Sequence, residues 1–331
     1  MNAMEASNLA LFWAGVLSFS ILVYVVLDGF DLGVGILFGT TSSEDYRSGM
    51  MGAIAPYWDG NETWLVVVGA GLYAAFPKVY AVFLGAFYLP VLLLLFGLIF
   101  RGVAFEFRFR SHAMRPVWDL GFSLGSTLVA FVQGAAIGAM MRGIPVVDGQ
   151  YAGNAMGWLH PFAILTGAGL VFGYALLGAG WLALKTEGDL RSWALARIPW
   201  LAAGVLLILG MAFATTLDDN AFARNELEQA DWHWLFPAFG VLALVCAAVF
   251  AFLKRDALPF VCTVVFFISA YLTLGFMYWP FMIPYTITVT DAAAPDASLE
   301  FLYYGAVVVL PIILIYTIGV YWLFRGKVRS N

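Results

Sequence analysis

The chain has 331 residues, 63% of them hydrophobic and only 11% charged, with a mean hydropathy of +0.88. Soluble domains carry about 25% charged residues, so the composition excludes a soluble enzyme and predicts an all-α integral membrane protein. The net charge of −5 gives no argument for a nucleic-acid partner, and none is expected.

The N-terminal MNAMEASNLA lacks a basic leader, and no A-x-A cleavage site closes the first apolar run, so that run is expected to stay as a span. A span needs about 20 apolar residues. Nine candidates follow in chain order, at 9–38, 51–75, 79–100, 118–140, 161–184, 200–217, 234–253, 258–279 and 302–324. The first would be about 45 Å long by helical rise and must tilt, kink or protrude.

Basic residues give the orientation, because cytoplasmic loops collect Lys and Arg. With the N-terminus outside, the cytoplasmic segments hold Arg47, then Arg101, Arg108, Arg110 and Arg115, then Lys185, Arg191 and Arg197, then Lys254 and Arg255, and finally Arg325, Lys327 and Arg329. Only Lys78, Arg142 and Arg224 remain outside. The expectation is N-out and C-in. No connection is long enough for a soluble catalytic domain, so the whole chain, 1–331, reads as one membrane domain. Cys246 and Cys262 read as small buried apolar residues on the reducing side rather than as a disulfide.

Against this apolar background the acids stand out. LDGFD carries Asp28 and Asp31 in the first span, and WDGNE carries Asp59 and Glu62 in the second. Each pair is three residues apart and shares a helix face. Counting from either end of the short loop near residues 39–49, both pairs lie roughly 15 Å into their helices. A mid-bilayer carboxylate costs about 2.5–3.5 kcal/mol even on lenient scales. The four must therefore face a bundle interior, a hydrated cavity or a partner subunit. Holding all of them charged is costly, so at least one should exchange protons near neutral pH. Structural pairing is the competing explanation: Arg101 ends the apolar run of the third span and can pair with one of the acids.

His112, His160 and His233 all fall outside mid-span positions, and no two share a helix as a bis-histidine b-type haem would need. No metal site and no haem is expected in this chain. These residues alone leave open a proton-coupled redox subunit, a stand-alone proton-coupled transporter and a structural assembly subunit.

LDGFDLGVGILF (27–38), IAPYWDGNETWLVVVGAGLYAAFPKVYA (54–81) and FRGVAFEFR (100–108) closely resemble subunit II of the cytochrome bd family of quinol oxidases. The NETWL variant is most similar to the cyanide-insensitive branch. The signature is dense over about residues 20–110 and matches mainly in topology elsewhere. The resemblance implies two four-helix bundles plus one peripheral helix. It also implies a heterodimer with a haem-bearing subunit I that oxidises ubiquinol or menaquinol and reduces O2 to water, building a proton gradient by charge separation. The b and d-type haems and the quinol site would then lie in subunit I. Some members hold a structural quinone in subunit II, though no residue here assigns such a site. The complex leaves room for small accessory subunits. The implied home is the bacterial inner membrane.

By the same resemblance, Asp59 matches an acid of a cytoplasmic proton-entry path, Asp28 and Asp31 match other buried acids, and Arg101 matches a nearby arginine. Glu62 belongs to the NETWL variant alone. Gly102 stands where other members have a proline, so a different local bend is expected at Arg101.

Overall fold

A computed structural model describes residues 6–110, 113–219 and 234–328. His112, Arg224, His233 and Arg329, read above from sequence, lie outside the described residues. Twelve helices are present among them: α1 Asn8–Phe38, α2 Glu44–Ile54, α3 Trp58–Ala75, α4 Pro77–Ala86, α5 Tyr88–Phe107, α6 Arg115–Arg142, α7 Pro161–Lys185, α8 Gly188–Asp219, α9 Leu235–Phe252, α10 Leu258–Tyr278, the short α11 Val289–Ala292 and α12 Asp296–Leu323. Two small antiparallel hairpins, Val146–Val147 with Gln150–Tyr151 and Phe281–Ile283 with Ile287–Thr288, interrupt the connections after α6 and α10.

Helices dominate because a lipid-spanning backbone has no water to bond and must satisfy its own N–H and C=O groups. Their starts are chemically marked. Ser7 and Ser43 cap α1 and α2 through side-chain oxygens, and His160 Nδ1 does the same for α7. Proline opens α4, α6, α7 and α10, where its missing N–H costs nothing.

Among the described residues, eight helices are long and apolar enough to cross a membrane, or nine if α3 and α4 together form one broken span. The second and third spans expected at 51–75 and 79–100 need correction. The chain breaks at Ala55-Pro56-Tyr57, turns by 120° between α3 and α4, and breaks again at Phe87. Pro56 and Pro77 supply the reason, since each lacks a donor and restrains the residue before it. The span expected at 200–217 also starts earlier: α8 begins at Gly188 and carries Pro199 within it. Cys246 and Cys262 are free and half-buried rather than buried.

α1 is the central strut, packed against α3, α6 and α7. α5 lies along α6, while α7, α8, α9 and α10 contact one another in a ring. α12 is peripheral, with Leu299 its one buried residue. Two crossings are backbone to backbone. A side chain on Gly33 of α1 would collide with the Tyr174 carbonyl and Gly178 of α7. One on Gly125 of α6 would stand 2.7 Å from the Gly97 carbonyl of α5. Small residues permit this approach, and the two crossings fix which side chains meet in the centre.

Candidate functional site: a buried arginine among carboxyls

The Gly97–Gly125 crossing sets Arg101, one turn further along α5, against α6 and turned inward to α1. Its Nη1 donates to Asp28 Oδ1 at 2.7 Å. Nη2 stands 3.9 Å from Asp31 Oδ2, and Nη1 stands 3.9 Å from Glu62 Oε2 on α3. Asp28 and Asp31 are wholly buried, and Arg101 is 1% exposed. One guanidinium thus serves three carboxyls from two helices. Stripping a charge of water costs several kcal/mol per ion unless it is paired. Arg101 can balance one carboxylate, so the remaining two need protons or another cation.

Asn61 completes the site and was not singled out from the sequence. Its Nδ2 donates to Asp31 Oδ2 at 2.7 Å and to the Leu27 carbonyl at 3.3 Å, and its Oδ1 accepts from the Tyr321 hydroxyl of α12 at 2.9 Å. Asn61 sits between Asp59 and Glu62 in sequence but turns to the inner face of α3, where it is 2% exposed. Asp28 Oδ2, Asp31 Oδ1 and Arg101 Nη2 have no hydrogen-bond partner among the described residues.

The four predicted acids do not all meet. Asp28, Asp31 and Glu62 converge on Arg101. Asp59 lies in the first turn of α3 on an exposed face and forms no ion pair among the described residues. Glu62 is intermediate, with its side chain 29% exposed. Asp59, Glu62 and Arg101 thus run from the protein surface to its core. At Gly102 α5 continues unbroken, and Trp58 fills the space beside the glycine.

Two further polar systems flank the cluster. On one side Tyr174 of α7 donates to Gln133 Oε1 of α6 at 2.8 Å, and Gln133 Nε2 donates to the Tyr24 hydroxyl of α1 at 2.7 Å. On the other, Lys185 Nζ donates to the Tyr57 hydroxyl at 2.9 Å and to the carbonyls of Phe324 and Gly326, tying the chain beyond α12 to the end of α7. Neither system was legible as a site from the sequence.

Outside the spans, Glu44 receives Arg108 and Arg115, and Asp119 receives Arg108 and Arg47. Burial pushes the Glu44 carboxyl up, but the hydrogen bonds and charge of Arg108 outweigh it and hold it below the usual range. Asp256 is likewise held low, first by Lys327 and then by Arg191. His160, the α7 cap, is pushed down by burial and by Arg142. Among the described residues no group of His, Cys, Asp and Glu could hold a metal ion.

Comparison with known proteins places this arrangement. The family model described as cytochrome bd terminal oxidase subunit II matches residues 9–324. The cytochrome bd-I ubiquinol oxidase subunit 2 of Escherichia coli (strain K12) is 33% identical, covering 93% of this chain and 92% of that relative. The cytochrome bd ubiquinol oxidase subunit 2 of Bacillus subtilis (strain 168) is 29% identical, covering 93% of each. Among solved structures, one chain of the bd oxidase from Geobacillus thermodenitrificans superposes with a TM-score of 0.80 over 96% of this chain and 98% of its own. At 16% identity that likeness speaks for the fold alone. The chain belongs to the cytochrome bd terminal oxidase subunit II family.

Proposed function

We propose that this chain is the haem-free subunit of an electrogenic bd-type quinol:O2 oxidoreductase and supplies part of a cytoplasmic proton-entry path to a haem-bearing subunit I. The observation that carries the reading is the placement of Arg101 among Asp28, Asp31 and Glu62. One buried cation and three carboxyls make a site that holds exchangeable protons, because full ionisation leaves uncompensated charge in a dry interior.

The order from surface to core is Asp59, Glu62, then Asp31. Asp59 collects protons at an exposed turn, and Glu62 passes them inward from the same helix face. Asp31 has one carboxyl oxygen without a donor, where a proton or a water can sit. Asn61, itself fixed by the Tyr321 hydroxyl, holds the other oxygen in place. The onward step leaves this chain, towards oxygen chemistry in the partner, which also oxidises quinol.

In the membrane we read α3 with α4 as one broken span, which gives nine spans with the N-terminus outside and the C-terminus in the cytoplasm. Two four-helix groups, α1/α3/α5/α6 and α7–α10, with α12 peripheral, fit the packing pairs. The exposed apolar faces of α3, α5 and α12 are left for subunit I, accessory subunits or lipid and quinone.

The test is Asp59→Asn in the assembled oxidase. Oxygen reduction should slow while the haem spectrum stays normal. Wild-type turnover with a normal spectrum would remove Asp59 from the path.

A further inference from the structure

The one buried residue of α12, Leu299, lies near its start, where the Leu299 carbonyl accepts from Trp13 Nε1 of α1 at 3.1 Å. The opposite end of α12 buries no side chain, yet it carries Tyr321, the hydroxyl donor to Asn61. That end is anchored by polar groups.

Lys185, the last residue of α7, is only 4% exposed. An ammonium has three N–H bonds to place, and Nζ donates to the Tyr57 hydroxyl and to the carbonyls of Phe324 and Gly326. All three acceptors are uncharged, so the end of α12, rather than an acid, holds the cation. Phe324 is the C-cap of α12, where the last carbonyls lack helical partners and the helix dipole is negative. Tyr57, 2% exposed, donates its own proton to the Phe324 carbonyl. Its ring centroid lies 4.7 Å from that of Tyr321, one turn before Phe324. The Val328 N–H then donates back to the Lys185 carbonyl at 2.7 Å. Lys185 and Tyr57 thus set the rotation and height of the turn that carries Tyr321.

That turn fixes which end of the Asn61 amide meets Asp31. Tyr321 donates to Oδ1, which leaves Nδ2 to donate to Asp31 Oδ2. Once the hydroxyl withdraws, the amide is free to turn its oxygen towards the carboxyl, and the Asp31 oxygen loses its donor.

We propose that Lys185 and Tyr57 are positioning residues for the Asp31 carboxyl, acting through Tyr321 and Asn61, so that the segment after α12 tunes proton handling at the buried site. The inference deepens the proton-entry reading and rests on it.

The experiment measures quinol-driven oxygen consumption by the assembled oxidase, as kcat per haem and KM for quinol. The variants are Lys185→Met, Tyr321→Phe, the two combined, and Asp31→Asn. Lys185→Met and Tyr321→Phe should each lower kcat about two- to threefold and leave KM unchanged, because the quinol site is read as lying in the partner subunit. The combined variant should be no slower than the slower single one, since both changes break the same chain of contacts. Independent effects would instead multiply, to about four- to ninefold. Tyr57→Phe keeps the ring and loses the hydroxyl. It should lower kcat in the same non-additive way, and carries the test if Lys185→Met fails to assemble. Slow turnover in Asp31→Asn, with parental kcat in the Lys185 and Tyr57 variants or with losses that multiply, overturns this inference and leaves the proton path standing. Parental turnover in Asp31→Asn overturns this inference together with that path.

Discussion

Arg101 Nη1 and Asp28 Oδ1 stand 2.7 Å apart in a part of the protein where neither side chain is more than 1% exposed. That contact joins α5 to α1 and sets the electrostatic frame for everything around it. A buried pair of this kind is a poor source of net stability, but removing one partner strands the other.

Arg101→Leu should therefore be the most damaging single change in the chain. It leaves Asp28, Asp31 and Glu62 without a cation and is expected to cost about 3–5 kcal/mol, enough to abolish assembly. Arg101→Lys keeps the charge but loses the fork, and should assemble with reduced turnover. The yield of haem-containing complex after purification checks both.

Asn61→Leu removes the donor between Asp31 and Tyr321 while nearly keeping the volume. A lost hydrogen bond to a charged or polar buried group is worth about 1.5–3 kcal/mol. Turnover should fall several-fold, with Tyr321→Phe milder because Asn61 still reaches Asp31. Steady-state oxygen consumption normalised to haem content would show whether this ranking holds.

Lys185→Met should free the segment after α12, since Nζ ties down two of its carbonyls and the Tyr57 hydroxyl. Cleavage by a protease added from the C-terminal side should accelerate, while the spans remain resistant. Equal cleavage in the variant and the parent would mean that the Val328–Lys185 backbone contact suffices to hold the tail.

The Asp256 clasp predicts a pH dependence. Lys327 and Arg191 hold its carboxyl below the usual value, so its contribution is present above about pH 4 and is lost as pH falls through the depressed folded value. Tail protection should thus be flat around neutrality and weaken only in acid. The group is partly exposed, so the effect is small, on the order of 1 kcal/mol or less, and shrinks with salt. Asp256→Asn should remove the acid-dependent component from the proteolysis profile.

Much of the site was legible because carboxyls in apolar helices are conspicuous. Counting residues back from the loop brought Asp28, Asp31 and Glu62 to one depth, and Arg101 proved to be the cation they share. The same count grouped Asp59 with them, whereas a turn of only a few residues at Tyr57 puts Asp59 on the outer face of α3. Asn61, Gln133, Tyr24, Tyr174 and Tyr321 carry no charge, and nothing in their spacing separates them from ordinary membrane polar residues. They become a network only when the Gly33–Gly178 and Gly97–Gly125 crossings set the helix rotations. The 120° turn between α3 and α4 falls at Pro77, in the gap between the spans expected at 51–75 and 79–100, whereas the break at Phe87 lies inside a continuous apolar run that gives no sign of it.

The most direct test of proton entry through this cluster is proton uptake from the cytoplasmic side during a single turnover with O2, followed by a pH-sensitive dye. The comparison is between the parent oxidase and Glu62→Gln in complexes with identical haem spectra. Glu62 is the one member of the Arg101 cluster with an open side, so uptake in the variant should slow about tenfold or more while electron entry from quinol is unaffected. Uptake at the parental rate would contradict the account and return the buried carboxyls to a structural role.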